Sequence, residues 1–374
     1  MAHALGLAAR GLGRVWPNPA VGCILVRDSR IVGRGWTQPG GRPHAEAMAL
    51  KQAGTAARGA TAYVTLEPCS HHGKTPPCAD ALIAAGVARV VTPLVDPDPR
   101  VSGAGLERLR AAGVQVEIDV THADRANHLN AGFLMHRQHG RPLVTLKLAS
   151  SLDARIATAT GESRWITSPA ARRRVHLMRA QADAVLVGAG TARADNPRLD
   201  IRDLGLADRA PVRVIADSTI SLPPSSQLAW TVPNQPVWIV HRDDVDPDNR
   251  AAWGALGAKL IVSDTDPKQR LDPVALLKAL GARGITRVLC EGGGQLAASL
   301  LRAHCVDQLV EMRAGLALGA KGLPAVADLG LTSLADAPRF ELNNMAPVGP
   351  DVVLEWRRID GAYRQNGPNR NAAP

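Results

Sequence analysis

Apolar and polar positions along this chain switch repeatedly between a helical and a strand period, and the switches mark out its elements. Ala4 to Gly11 is helical in composition, and Val21 to Val26 and Ile31 to Trp36 read as a strand pair around the turn Asp28-Ser29. Ala45 to Ala53 reads as a helix and Ala62 to Leu66 as a buried strand. Cys78 to Ala85 is helical, Arg89 to Thr92 strand-like, Gly105 to Ala112 helical, and Val114 to Ile118 strand-like. Strands separated by helices predict an α/β layer with some parallel pairing.

A helical segment from about His122 to His136 leads into Gly140-Arg141-Pro142, which has linker character. A second series then begins. Leu143 to Leu148, Ala184 to Val187, Val212 to Ile215, Val237 to Val240 and Val288 to Cys290 are short β-rich runs. Helical stretches fall at Pro169 to Ala180, Pro273 to Leu280 and Gln295 to Ala303. The pattern predicts two α/β domains, 1–141 and 142–359, and a disordered tail at 360–374 made of Gly, Asn, Arg and Pro. A length of 374 residues agrees, since one hydrophobic core rarely grows to that size. There is no internal repeat.

Composition narrows the function. Hydrophobic content of 45% excludes wholesale disorder. No apolar run is long enough to cross a bilayer, and Met1 to Arg14 lacks an apolar stretch ending at a cleavage site, so a cytoplasmic protein with no membrane partner is expected. Five cysteines, at 23, 69, 78, 290 and 305, are too scattered for a disulfide framework, which leaves metal binding or burial. The net charge of +10 comes mostly from arginines spread along the chain, and aromatic content is only 3%. That favours a basic proteome or a phosphate-bearing small substrate over nucleic acid, which needs clustered cations and stacking side chains.

The sharpest chemistry lies between His44 and Cys78. His44-Ala45-Glu46, then Pro68-Cys69, then Cys78 supply one imidazole and two thiolates. Three protein ligands with an open fourth position are the mark of a catalytic zinc site, where a water's pKa falls toward neutrality. Glu46, beside the ligands but not one of them, is the candidate to move protons between that water, a ring nitrogen and a departing amine. Residues two apart do not share a helix face, so His44 belongs at the start of a helix, where Pro43 fits. Cys69 belongs on the turn after a strand. Eight residues separate Cys69 from Cys78, a departure from the common C-x-x-C of zinc deaminases. His71 and His72, in that insert, are alternative metal ligands.

The inserted loop carries a resemblance. W-P-N-P-A-V-G-C at 16–23 and T-L-E-P-C-S-H-H-G-K-T-P-P-C at 65–78 closely resemble the bifunctional deaminase-reductase family of riboflavin biosynthesis. So do D-P-D-P at 96–99, L-K-L-A-S-S-L-D at 146–153, G-E-S-R-W-I-T-S-P at 161–169 and E-G-G-G at 291–294. The resemblance spans the chain up to its tail. It implies a cytidine-deaminase-like domain followed by a dihydrofolate-reductase-like domain. It further implies deamination of 2,5-diamino-6-(5-phosphoribosylamino)pyrimidin-4(3H)-one and reduction of the product's ribosyl chain to ribityl by NADPH, in a homo-oligomer, dimer or tetramer. It favours His44, Cys69 and Cys78 over His71 and His72 as the zinc ligands.

The resemblance also implies contacts. Asn18 matches a substrate-contacting asparagine whose amide can read a ring edge, and as a plain residue it suits the turn before Pro19. Lys74 is a candidate for the substrate phosphate or a solvated loop lysine. Glu291-Gly292-Gly293-Gly294 follows a predicted strand and precedes a helix, so its backbone N–H groups can approach a phosphate; it is not G-x-G-x-x-G, which disfavours a Rossmann domain. By resemblance Gly293, Gly294, Gln295, Leu296, Ala297, Ala298 and Ser299 hold NADPH, as do Ala149, Trp165, Thr191, Asp195 and Ser218. Ser163, Arg179, Leu199, Arg202 and Glu291 match substrate contacts. Read without the resemblance, Trp165 is a core residue and Arg179 and Arg202 are solvated charges, although paired guanidinium donors suit a phosphate. Asp153 is the acidic residue nearest the predicted active strand, and Arg313 to Gly319 departs from the family's proline-containing segment. Two rivals remain: a nucleic-acid base deaminase with an RNA-binding second half, and a zinc-stabilised binding module without catalysis.

Overall fold

Two α/β units follow one another along the chain, Met1–Gly140 and Arg141–Pro374, each built on its own sheet. The computed structural model describes residues 1–70, 76–96, 102–206 and 208–359. His71, His72, Lys74 and the tail at 360–374 lie outside the described residues. No helix among those described is long and apolar enough to cross a membrane.

The first unit runs α1 (Ala2–Ala8), β1 (Gly22–Arg27), β2 (Arg30–Trp36), α2 (Ala45–Ala53), β3 (Thr61–Val64), α3 (Cys78–Ala84), β4 (Arg89–Thr92), α4 (Ala104–Ala111), β5 (Gln115–Ile118) and α5 (Ala123–His139). Its strands lie in the order β2-β1-β3-β4-β5. β1 pairs antiparallel with β2 and β3, while β3, β4 and β5 are parallel. α2 begins where Pro43 and an extended His44 (φ −71°, ψ 162°) stop helical winding, and it ends on Gly54 at φ +53°. It lies directly on β2. A side chain at Gly35 would meet the Ala45 carbonyl oxygen at 2.0 Å, so only glycine lets the helix approach this closely. Cys23, Leu25, Ala45, Ala49, Val64, Leu66 and Leu82 form the centre of its core.

The second unit runs β6 (Leu143–Ser150), β7 (Arg155–Ala157), α6 (Pro169–Gln181), β8 (Ala184–Gly188), α7 (Ala189–Asp195), β9 (Val212–Ala216), α8 (Gln227–Trp230), β10 (Val237–His241), α9 (Pro247–Ala255), β11 (Lys259–Val262), α10 (Pro273–Gly281), β12 (Arg287–Cys290), α11 (Gly294–Arg302), β13 (Gln308–Arg313), β14 (Leu323–Pro324), β15 (Phe340–Val348) and β16 (Asp351–Arg358). Nine strands form one sheet in the order β11-β10-β9-β8-β12-β6-β13-β16-β15. From β11 to β13 the pairing is parallel, and β13, β16 and β15 close the sheet antiparallel. β12 enters late in the chain between β8 and β6, so the connections leaving β8 and β12 run in opposite directions, the kind of switch point at whose C-terminal strand ends α/β sheets place their ligands. α6 covers the neighbouring face through Ala171 and Val175 against Val310, Met312 and Val353. The small β7–β14 ribbon and the terminal β15–β16 hairpin have no counterpart in the sequence reading.

Candidate active sites

Helix starts bring the first site together. His44 is the residue immediately before α2, and Cys78 is the first residue of α3, held there by the extended Pro77. Cys69 sits on the turn beyond β3, and its sulfur accepts the Cys78 backbone N–H at 3.3 Å. His44 Nδ1 lies 3.3 Å from Cys78 Sγ and 3.7 Å from Cys69 Sγ. A tetrahedral zinc with ordinary Zn–S and Zn–N bonds would hold its nitrogen and sulfur ligands roughly 3.6 Å apart, so these atoms already stand at the spacing such an ion requires. Among the described residues, these three alone form a group of this kind able to hold a metal.

The electrostatics match the geometry. The Cys69 thiol is pulled down to about 4, first by hydrogen bonding with Cys78 and then by His44, which favours the thiolate a metal needs. The hydrogen bond to Cys69 raises His44, while hydrogen bonding and burial push Cys78 up, so the trio holds protons that a cation would displace. Glu46, the second residue of α2 and 3% exposed, is raised by burial and by the nearby Cys69. Asn18 lies against the loop that delivers His44. A side chain at Gly41 would strike its Nδ2 at 1.9 Å, and Gly41 also needs the left-handed φ of +83°.

The second site lies at the C-terminal ends of β6, β8 and β12. Gly293 caps α11, and its N–H donates to Thr191 Oγ1 at 2.9 Å, tying the glycine run to α7. A side chain at Gly294 would meet the Pro324 carbonyl oxygen at 2.7 Å. Gln295 is exposed, Leu296 and Ser299 are half-buried, and Ala297 and Ala298 are buried, so any contact from that pair is through backbone. Ala149 is half-buried on β6; Asp195 ends α7, where its carbonyl accepts from Arg164 at 2.6 Å; the Ser218 carbonyl, beyond β9, accepts the Arg242 N–H at 3.1 Å. Trp165, expected in the core on its own chemistry, is 69% exposed, with the Arg172 guanidinium 4.3 Å from its ring centre.

Of the substrate-type residues, Arg179 and Glu291 form a buried bidentate pair at 2.6 and 2.9 Å. Burial works to raise the Glu291 carboxyl, and Arg179 with Lys147 overrides it, holding it below the ordinary range. The solvated-charge reading of Arg179 therefore fails, and its fork is committed to a carboxylate. Arg202 fits that reading better: it is about half exposed and pairs with Asp200 at 3.2 Å, as does Arg198 at 3.0 Å. The Leu199 side chain is buried, which leaves its backbone for contact, and Ser163 is half-buried in the loop before α6. Asp153 accepts from Ser151 and from the Leu318 and Gly319 N–H groups, which draw its carboxyl down to about 2. It therefore anchors the unusual 313–319 segment.

Residues 142–354 match the RibD C-terminal domain, and residues 1–94 match the cytidine and deoxycytidylate deaminase zinc-binding region. The chain belongs to the RibD family. It is 46% identical to the riboflavin biosynthesis protein RibD of Escherichia coli (strain K12), over 95% of this chain and 97% of that protein. It superimposes on Acinetobacter baumannii RibD with a TM-score of 0.85 at 38% identity, covering 96% and 97% of the two chains. A Thermotoga maritima diaminohydroxyphosphoribosylaminopyrimidine deaminase/5-amino-6-(5-phosphoribosylamino)uracil reductase matches with a TM-score of 0.83 at 36% identity, again over 96% and 97%. As a RibD-family chain it has a cytidine-deaminase-like first unit that binds zinc and a dihydrofolate-reductase-like second unit.

Two residues of this RibD-family chain stand out only in three dimensions. Lys147 projects from β6 toward Glu291, Arg179 and Asp195, and burial lowers its pKa against the pull of Glu291. His176, on α6, is lowered by burial and by Arg179 and Arg202, and its Nδ1 accepts the Arg202 N–H at 3.3 Å. The K-L run around Lys147 reads as ordinary strand. Nothing short of the β6–β12 pairing puts that lysine beside Glu291.

Proposed function

We propose that residues 1–141 hydrolytically deaminate 2,5-diamino-6-(5-phosphoribosylamino)pyrimidin-4(3H)-one. Residues 142–359 then reduce its ribosyl chain with NADPH, giving 5-amino-6-(5-phosphoribitylamino)uracil, and residues 360–374 form a tail outside both domains. The observation that carries this reading is the convergence of His44, Cys69 and Cys78 beside buried Glu46, in a chain of the RibD family.

His44, Cys69 and Cys78 hold the zinc, which when bound supplies Lewis-acid activation of water at neutral pH. Glu46 is the proton carrier. Its carboxylate would take one proton from the attacking water and pass it to the ring nitrogen, then take the second from the hydroxyl so formed and pass it to the amine as the C–N bond breaks and ammonia leaves. Burial raises its pKa, which suits a group that both accepts and gives a proton. Asn18 reads the ring edge, and Lys74 meets the substrate phosphate.

In the second site NADPH supplies hydride. Within Gly293 to Ser299, the first-turn N–H groups of α11 at Gly294, Gln295 and Leu296 face its phosphates, with the rest of that stretch and Ala149, Trp165, Thr191, Asp195 and Ser218 completing the cradle. Ser163, Arg179, Leu199, Arg202 and Glu291 position the sugar. Because Arg179 is bound to Glu291, the substrate phosphate falls to Arg202. We assign Lys147 the proton that accompanies the hydride, since burial loosens its hold on that proton. We place the enzyme in the cytoplasm as a homo-oligomer, dimer or tetramer, with neither nucleic acid nor membrane as partner. Exposed Leu342, Met345 and Val352 on the terminal hairpin support self-association.

The test is ammonia release and NADPH oxidation on the pyrimidine substrate, with Glu46→Gln as the discriminating variant. Ammonia release should fall at least about a hundredfold, a typical general-base contribution, with zinc retained. Given the deaminated intermediate, that variant should oxidise NADPH at nearly the parental rate. Unchanged deamination in Glu46→Gln overturns the assignment.

A further inference from the structure

Glu67 is a buried carboxylate that the deamination chemistry does not use. It is 4% exposed and no cation faces it among the described hydrogen bonds and ion pairs. Among the described residues, its partners are four backbone N–H groups. Oε2 accepts from Asp96 at 3.0 Å and from Gly103 at 3.0 Å, and Oε1 accepts from Gly105 at 2.8 Å and from Leu106 at 3.4 Å. Two of these are amides of the first turn of α4, whose unpaired N–H groups and dipole suit an anion.

Glu67 is also two residues before Cys69, and α4 reaches both thiol-bearing segments. A side chain at Gly105 would strike the Pro68 carbonyl oxygen at 2.1 Å, so the helix start is pressed onto the turn itself. Further along α4, Arg108 donates to the Ser70 carbonyl at 3.4 Å and pairs with Asp80 of α3 at 2.5 Å. The helix thus touches the residues on either side of Cys69 and the stretch just after Cys78.

From this we infer that Glu67 is the positioning residue of the zinc site: by collecting four amides it fixes the Pro68–Cys69 turn against α4 and so aims the Cys69 sulfur at His44 and Cys78. The residue type follows from the partners. All four are donors, so the group facing them must be acceptor-only, and glutamine would turn an NH₂ toward two of them. The inference rests on the zinc reading above, since what Glu67 positions is a ligand.

The experiment uses the full chain carrying Glu67→Gln, measured for zinc release to a colorimetric chelator and, after Co²⁺ replacement, for its visible spectrum. Zinc release should quicken by on the order of 10- to 100-fold, the usual effect of removing a group that orients a ligand, and the cobalt bands should shift or weaken. Glu67→Asp, still acceptor-only but a methylene shorter, should fall between parent and Glu67→Gln on both readouts, and it carries the test if Glu67→Gln does not fold. A variant with lowered thermal stability but parental zinc release and cobalt spectrum overturns the inference, because it shows a fold role with no hold on Cys69. A parental chain that binds no zinc overturns the zinc reading instead, a result distinct from unchanged release.

Discussion

Cysteine behaves in opposite ways at positions 23 and 69, and the difference is set by what surrounds each sulfur. Cys23 lies on β1 at 0% exposure among Leu25, Ala45 and Val64, and burial pushes its thiol far above the usual value. Cys69 has a backbone N–H and an imidazole on its sulfur, and it is the thiolate of the trio. Replacing Cys69 with Ser should remove most bound zinc together with deamination. Cys23→Ser buries a hydroxyl, at a cost of about 1–3 kcal/mol of stability, and should keep both. Elemental analysis of the two purified variants decides this: full zinc in Cys69→Ser would overturn the ligand set. Arg179 makes the same point about context. Its guanidinium is a surface cation as far as helix composition tells, and only the crossing of α6 past the end of β12 shows that it serves Glu291.

At the level of elements, the parallel strands and their helices were legible because each is bounded by chemistry that acts locally. α2 and β4 fall on the residues that periodicity marks, and α6 starts where Ser168 caps it and Pro169 fits its first turn. α9 has the same kind of start, Asp246 before Pro247, yet its Arg, Ala, Trp and Gly interior shows no clean apolar stripe, and only Trp253 is buried. The hairpin β15–β16 was illegible for a related reason. Leu342 and Met345 point into open surface, so in β15 the alternation of buried and exposed positions that signals a strand is missing, and in β16 it covers only Asp351 to Val353. The E-G-G-G run was visible, but its tolerance was not. At Gly294 a methyl group would press on the Pro324 carbonyl oxygen at 2.7 Å and the Ala327 nitrogen at 3.2 Å, both backbone atoms that cannot swing away. Gly294→Ala should shift the start of α11 and weaken NADPH binding about tenfold, the effect of a strain near 1.4 kcal/mol. Fluorescence titration with NADPH measures it, and parental affinity would show that the helix start is not the phosphate cradle.

For the whole molecule the question is whether two chemistries need one chain. The first site draws His44, Glu46, Cys69 and Cys78 from the start of α2, the turn after β3 and the start of α3, and the positioning contacts of Glu67 come from Asp96, Gly103 and the first turn of α4. All of these lie within Met1–Gly140, a unit with its own five-stranded sheet and its own core around Leu25, Val64, Leu66 and Leu82. A unit that buries its own apolar residues and completes its own ligand set has what independent folding requires. A fragment of residues 1–141 should therefore fold, bind one zinc, and release ammonia from the pyrimidine substrate at a rate comparable to that of the full chain, with no oxidation of NADPH. Circular dichroism and metal analysis establish the folded, loaded state before activity is read. A fragment that is folded and zinc-loaded yet releases no ammonia would show that the deaminase site takes an essential group or constraint from residues 142–359, and the division of labour between the two units would then be wrong.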